Sequence, residues 1–113
     1  MIPTYESVKT FLKNYRMYKL ILCTKPSELI ISDSEQLAYF TMFNNSLQIL
    51  KKLPKNGHIY YQILYHCYLS PEEHYSTYEI IDALNEDGIF MSLRSFYRKK
   101  KLAIELICTI LSS

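Results

Sequence analysis

The sequence predicts an all-α fold of about five helices, and three observations predict it. Gly occurs 2 times and Pro 4 times in 113 residues, too few for a loop-rich all-β domain or a disordered tail. Apolar residues recur at i, i+3, i+4 and i+7 over long stretches, the period of a helix with one buried face. Capping residues stand at the heads of those stretches. Apolar types make up 49% of the chain and charged types 21%, ordinary values for a globular protein. The length fits a single domain over 1–113.

Thr4 is placed to cap a first helix running to about Cys23. Its apolar stripe is Val8, Phe11, Leu12, Tyr15, Tyr18 and Leu22, with Lys9, Lys13, Arg16 and Lys19 largely opposite. Pro26 ends it. Leu29-Ile30-Ile31 is a short apolar patch in the connection. Ser32-Asp33-Ser34-Glu35 then has the spacing of a capping box, opening a second helix to about Leu53. Phe40, Phe43, Leu47 and Leu50 form its core stripe, and Pro54 and Gly57 punctuate its end.

Ile59 to Leu69 reads as a third helix. It holds no charged residue with His neutral, so it should be buried on most sides. Tyr60 to Tyr65 has the β propensity of a strand, but its length and its neighbours favour helix. Ser70-Pro71-Glu72-Glu73 stops it. Residues 1–57 thus form an N-terminal support and 58–113 a C-terminal module.

That module has its own grammar. Ser76-Thr77-Tyr78-Glu79 is a second capping box, opening a short helix through Leu84 with Ile80, Ile81 and Leu84 as its apolar side. Asn85-Glu86-Asp87-Gly88 is a turn, with Gly88 free to take positive φ. Ser92 is the N-cap of a last helix, Leu93 to about Leu111. Short capped helix, Gly-containing turn, second capped helix is the order of a helix-turn-helix. On the last helix Leu93, Phe96, Ala103, Ile104, Ile107 and Ile110 share one side. Arg94, Ser95, Arg98, Lys99 and Lys101 point elsewhere, while Lys100 lies near the apolar side and should snorkel past the core edge.

The net charge of +2 is a cancellation. Residues 92–101 hold Arg94, Arg98, Lys99, Lys100 and Lys101 and no acid, a local +5. Residues 72–91 hold Glu72, Glu73, Glu79, Asp82, Glu86 and Asp87 and no Lys or Arg, a local −6. Cationic side chains at a helix start add to its free N–H groups and positive dipole end, which suits phosphate. In a helix-turn-helix that reads DNA, the N-terminal residues of the second helix meet base edges. Arg94, Ser95 and Arg98, beside the cap Ser92, are best placed for that, because Arg binds guanine bidentately and Ser serves several partners. Lys99 and Lys101 suit phosphate, which fixes register. For Tyr97 a hydroxyl contact to phosphate competes evenly with packing on the preceding helix. The bland alternative for this whole set is a solvated basic face.

Ser76-Thr77-Tyr78-Glu79-Ile80-Ile81-Asp82-Ala83-Leu84-Asn85, followed by Met91-Ser92-Leu93-Arg94-Ser95-Phe96-Tyr97-Arg98-Lys99-Lys100-Lys101-Leu102-Ala103-Ile104, resembles the C-terminal module of the ArpU-type phage transcriptional regulators. The triplet Phe96-Tyr97-Arg98 is its specific part. The likeness covers about 59–111. It implies a module similar to region 4 of bacterial sigma factors. It also implies sequence-specific binding of double-stranded DNA, often to activate late or packaging genes in phages and mobile elements of Gram-positive bacteria. One segment departs from the pattern: Glu86-Asp87-Gly88-Ile89-Phe90 lengthens the turn and sets acid beside the basic helix.

Other chemistry finds little footing. Cys23, Cys67 and Cys108 are an odd set with no C-x-x-C, read as buried small hydrophobes in a reducing cytoplasm. No apolar run approaches a membrane span, and the start is not a secretory signal. His58, His66 and His74 recur every eight residues. Eight residues along one helix separate side chains by ~12 Å, too far for one ion, and Pro71 breaks the helix between His66 and His74. No metal or cofactor site is therefore expected. No Gly-rich phosphate loop, G-x-S-x-G or H-E-x-x-H appears, so no enzyme is expected.

The rival reading is a small helical protein that binds a host protein such as RNA polymerase without reading DNA. The amphipathic helices at 4–23 and 33–53 suit helix-in-groove contacts. Leu102, Leu106 and Thr109 lie opposite the core face of the last helix and need a cover, either the N-terminal helices or a second copy. A homodimer would also serve DNA reading, since two-fold proteins read two half-sites. Finally, Tyr occurs 11 times and Trp 0 times. Tyr fills a core while its hydroxyl stays wet, which points to a thin domain with a small core.

Overall fold

The computed structural model describes residues 3–24, 31–74 and 76–112, and side chains for 3–21, 38–74 and 76–112. Within these residues the chain is all-helical, with no strand. It runs α1 (Tyr5–Lys13), α2 (Tyr15–Thr24), α3 (Ile31–Lys51), α4 (Gly57–Leu64), a π-helical turn (Tyr65–Leu69), α5 (Thr77–Glu86) and α6 (Leu93–Leu111).

Thr4 caps α1 as its position demands, its hydroxyl accepting from the Ser7 N–H while the Ser7 hydroxyl accepts from the Thr4 N–H. The expected single helix to Cys23 is two helices broken at Asn14 (φ −101°, ψ 6°). The Asn14 side-chain amide donates to the Thr10 carbonyl at 3.0 Å. A side chain that competes for the carbonyl of residue i−4 bends a helix. The bend keeps Tyr15 in the core, stacked on Phe40, with its hydroxyl donating to Asn44 at 2.7 Å.

α3 begins at Ile31, so Ser32 lies inside the helix and is not its N-cap. The apolar stretch 29–30 and the side chains of Ser32 to Glu35 fall outside the described residues. Gly57 does not close α3 but opens α4. A Cβ there would sit 2.4 Å from the Leu50 carbonyl oxygen. Gly is required because α4 turns back directly against the end of α3, with Asn56 ahead of it at φ 60°.

The third element is helical, not a strand, and every residue from Ile59 to Leu69 is buried or half-buried. Its last turn widens: the Ser70 N–H reaches the Tyr65 carbonyl, five residues back, at 2.8 Å. Pro71 follows, and the residue before a proline is pushed out of the α region. Ser70 accordingly sits at ψ 140°.

Two cores result. The larger joins Val8, Phe11, Leu12 and Tyr15, then Phe40, Phe43, Leu47 and Leu50, then Tyr60, Leu64, Tyr68 and Leu69, with Ala103, Ile104 and Ile107 of α6. The smaller holds Ile63, Leu84, Ile89 and Phe96. α4 and α6 contribute to both. The apolar second half of α6 is covered by α1, α3 and α4, and Leu106 is half-buried there. Leu102 remains exposed.

Cys67 and Cys108, expected to be buried, are half-buried, and Cys67 sets a pH dependence. Burial pushes the Cys67 thiol up to about 11, against the lowering pull of Lys100 and Arg16. A thiol raised by folding holds its proton more tightly folded than unfolded. Its contribution is complete below its ordinary value of 9.0 and is lost as pH climbs toward about 11. Tyr68 moves up for the same reason, burial, and its loss runs in the same direction. Urea denaturation at about pH 8 and about pH 10.5 should show a stability loss in the wild type that is smaller in Cys67→Ala. Equal losses in the two proteins would contradict this account.

Candidate nucleic-acid interface

α5 and α6 are set by three caps. The Ser76 hydroxyl accepts from the Glu79 N–H at 3.3 Å, and the Ser92 hydroxyl accepts from the Ser95 N–H at 3.2 Å. Between them the lengthened turn is a Schellman motif. The Ile89 N–H reaches the Leu84 carbonyl at 2.9 Å and the Gly88 N–H reaches that of Asn85 at 3.0 Å. Gly88 takes φ 84° at the left-handed position. Ile89 and Leu84 then meet in the smaller core, the apolar contact that accompanies this motif. The segment 86–90 therefore terminates α5 and aims α6.

The turn's acid is also directed. Asp87 Oδ2 lies 2.7 Å from His66 Nε2, tying the end of α5 to the π-helical turn. His74 comes back beside His66, their ring centres 5.9 Å apart. The helical spacing that separates them by ~12 Å does not hold, because the chain reverses at Ser70-Pro71-Glu72, where the Ser70 hydroxyl accepts from the Glu72 N–H. Among the described residues no three His, Cys, Asp or Glu side chains are grouped as a metal site.

Four of the candidate residues converge. Ser92, Arg94, Ser95 and Arg98 line an open concavity of about 480 Å³ at the start of α6. Arg94, Arg98 and Lys101 are exposed. Neither they nor Lys99 pairs with a carboxylate among the described residues. Lys101 continues the stripe one turn beyond Arg98, and Glu105 closes it.

The remaining candidates stand apart. Lys99 is half-buried and does not line the concavity. Lys100 lies 5.4 Å over the Tyr68 ring, packed on the core edge as its wheel position implies. Tyr97 is 51% exposed, and its hydroxyl lies 3.2 Å from the Thr77 hydroxyl in the first turn of α5. That contact bridges the two helices, the packing on the preceding helix that was one of the two expectations for Tyr97. Phe90, 76% exposed, stands just ahead of Ser92 and was noted in the sequence only as part of the lengthened turn. Its signal is a large apolar residue at the tip of a polar turn.

No helix among the described residues is long and apolar enough to cross a membrane. Comparison with protein-family models, with curated proteins and with solved structures returned no match.

Proposed function

We propose that this chain binds double-stranded DNA through the first half of α6 and regulates transcription. α5, the Schellman turn and α6 would act as a helix-turn-helix similar to sigma region 4. The carrying observation is the concavity of Ser92, Arg94, Ser95 and Arg98, whose guanidiniums have no carboxylate partner among the described residues. Two fork-shaped donors and two hydroxyls at a helix N-terminus suit phosphate oxygens and base edges. The resemblance to ArpU-type regulators supports the same reading and adds activation, beside RNA polymerase, as the mode.

Binding to random duplex DNA across a salt series tests it. Three to four phosphate contacts would give a slope of log K against log salt of about −3. A flat slope, or no affinity at low salt, rejects DNA binding. A second reading, capture of a host protein without DNA contact, is favoured by the exposed α2 stripe of Met17, Leu20 and Ile21, 49%, 65% and 43% exposed. Co-purification with RNA polymerase in the absence of DNA affinity would select it. Light scattering reports whether a second copy is bound.

A further inference from the structure

We propose that Phe90 packs on the 5-methyl group of a thymine beside the bases met by Arg94 and Arg98, so that one position of the duplex is read by an apolar contact; this rests on the DNA reading of α6. Phe90 is 76% exposed, the most exposed of the large apolar side chains among the described residues. Phe is otherwise among the residue types most often buried.

The chain around Phe90 explains why it stays out. Residues 89–92 form neither helix nor turn. Ile89 is buried, Phe90 exposed, Met91 half-buried and Ser92 exposed. That is the alternation of extended chain, in which successive side chains point to opposite sides. Ile89 and Met91 both pack in the smaller core, so Phe90 is pinned from either side and cannot turn inward without pulling a neighbour out. The same alternation puts Phe90 on the side of Ser92, which lines the concavity with Arg94, Ser95 and Arg98.

The chemistry of the ring selects its occupant. A phenyl ring donates no hydrogen bond to a phosphate oxygen or a base edge, so its gain comes from apolar surface. In the major groove thymine presents a C5-methyl group that the other bases lack, and Phe is one of the side chains that meets it. The start of the second helix is the part of a helix-turn-helix that enters that groove. The guanidiniums would then read hydrogen-bonding edges and Phe90 the methyl beside them.

The experiment uses duplexes that the full chain selects from random sequence. Each thymine of the selected site is replaced in turn by deoxyuridine, which removes one methyl and keeps every hydrogen bond. Wild type should lose about fourfold in affinity at one thymine, the effect of one buried methyl. Phe90→Ala, checked for folding by circular dichroism, should bind the thymine and deoxyuridine duplexes equally and keep the wild-type salt slope. Selected sites without a thymine, a wild type indifferent to every deoxyuridine, or a preference that survives in Phe90→Ala overturns the proposal, while a steep salt slope leaves the DNA reading standing. A wild type with no DNA affinity at low salt rejects that reading, and the role of Phe90 with it.

Discussion

Phe96→Ala is expected to remove about 3–5 kcal/mol of folding stability. Phe96 is 1% exposed and is the largest side chain in the smaller core, packed with Ile63 of α4, Leu84 of α5 and Ile89 of the turn. Truncation loses the transfer energy of the ring and leaves a cavity that three separate elements cannot close together. Total stability for a domain of this size is about 5–15 kcal/mol, so a large share goes at once. The effect should also be local. The larger core contains no atom of Phe96, so α1, α3 and α4 should retain protection while α5 and the turn exchange faster. Urea denaturation followed by circular dichroism gives the first quantity, and amide hydrogen exchange the second. A loss below about 1 kcal/mol would mean that the smaller core does not hold α5 and α6 in place.

Arg94→Ala/Arg98→Ala is expected to weaken specific DNA binding by about 2–6 kcal/mol, the range for two contacts of about 1–3 kcal/mol each. The two guanidiniums share one concavity, so their contributions need not add. Both side chains are exposed and make no ion pair among the described residues, so stability should hardly change. Three comparisons sharpen the result. Lys101→Ala should reduce the salt slope by about 1 and weaken all sequences alike. Lys100→Ala should leave DNA affinity unchanged, because that ammonium is engaged over Tyr68. Tyr97→Phe should act through the α5–α6 bridge to Thr77. Fluorescence anisotropy on a duplex selected from random sequence reads all four. Equal losses from Lys100 and from the arginine pair would reduce the basic face to a diffuse charge.

The triplet Phe96-Tyr97-Arg98 shows how three adjacent residues divide. Successive helix positions are 100° apart, so Phe96 enters the core, Tyr97 lies against α5 and Arg98 faces the concavity. The wheel alone shows that division for Phe96 and Arg98. It does not show the partner of Tyr97, because Thr77 is brought there by the turn. Lys100 was legible for the same reason as Phe96: its angle lies near the apolar face, and a long stem at a core edge has one outlet. Lys99 was not: its angle groups it with the polar residues, yet it is half-buried.

Local signals placed most of the helices and three of the four expected caps, the exception being Ser32, which lies inside α3. Thr4, Ser76 and Ser92 cap as their spacing requires, since a cap is a bond between residues three apart. The positive φ of Gly88 follows from its turn. The break at Asn14 was also local, though weak: one side-chain amide outweighs an otherwise continuous apolar stripe. The Schellman motif was less legible, because the apolar contact that accompanies it, Ile89 with Leu84, is made in a core shared with Ile63 and Phe96 from other elements.

By itself, then, the sequence determined the all-helical class, the order of helices, three N-caps and the segregation of charge between α5 and α6. These are periodic or short-range properties, fixed by neighbours within one or two turns. Tertiary structure alone decided that α6 spans two cores, that Gly57 must lie under the Leu50 carbonyl, and that Asp87 closes on His66. It also returned His74 to His66 across a proline turn, where helical spacing keeps them apart. Each of these contacts joins residues more than five positions apart, and chain reversal, which no periodicity encodes, sets their distance.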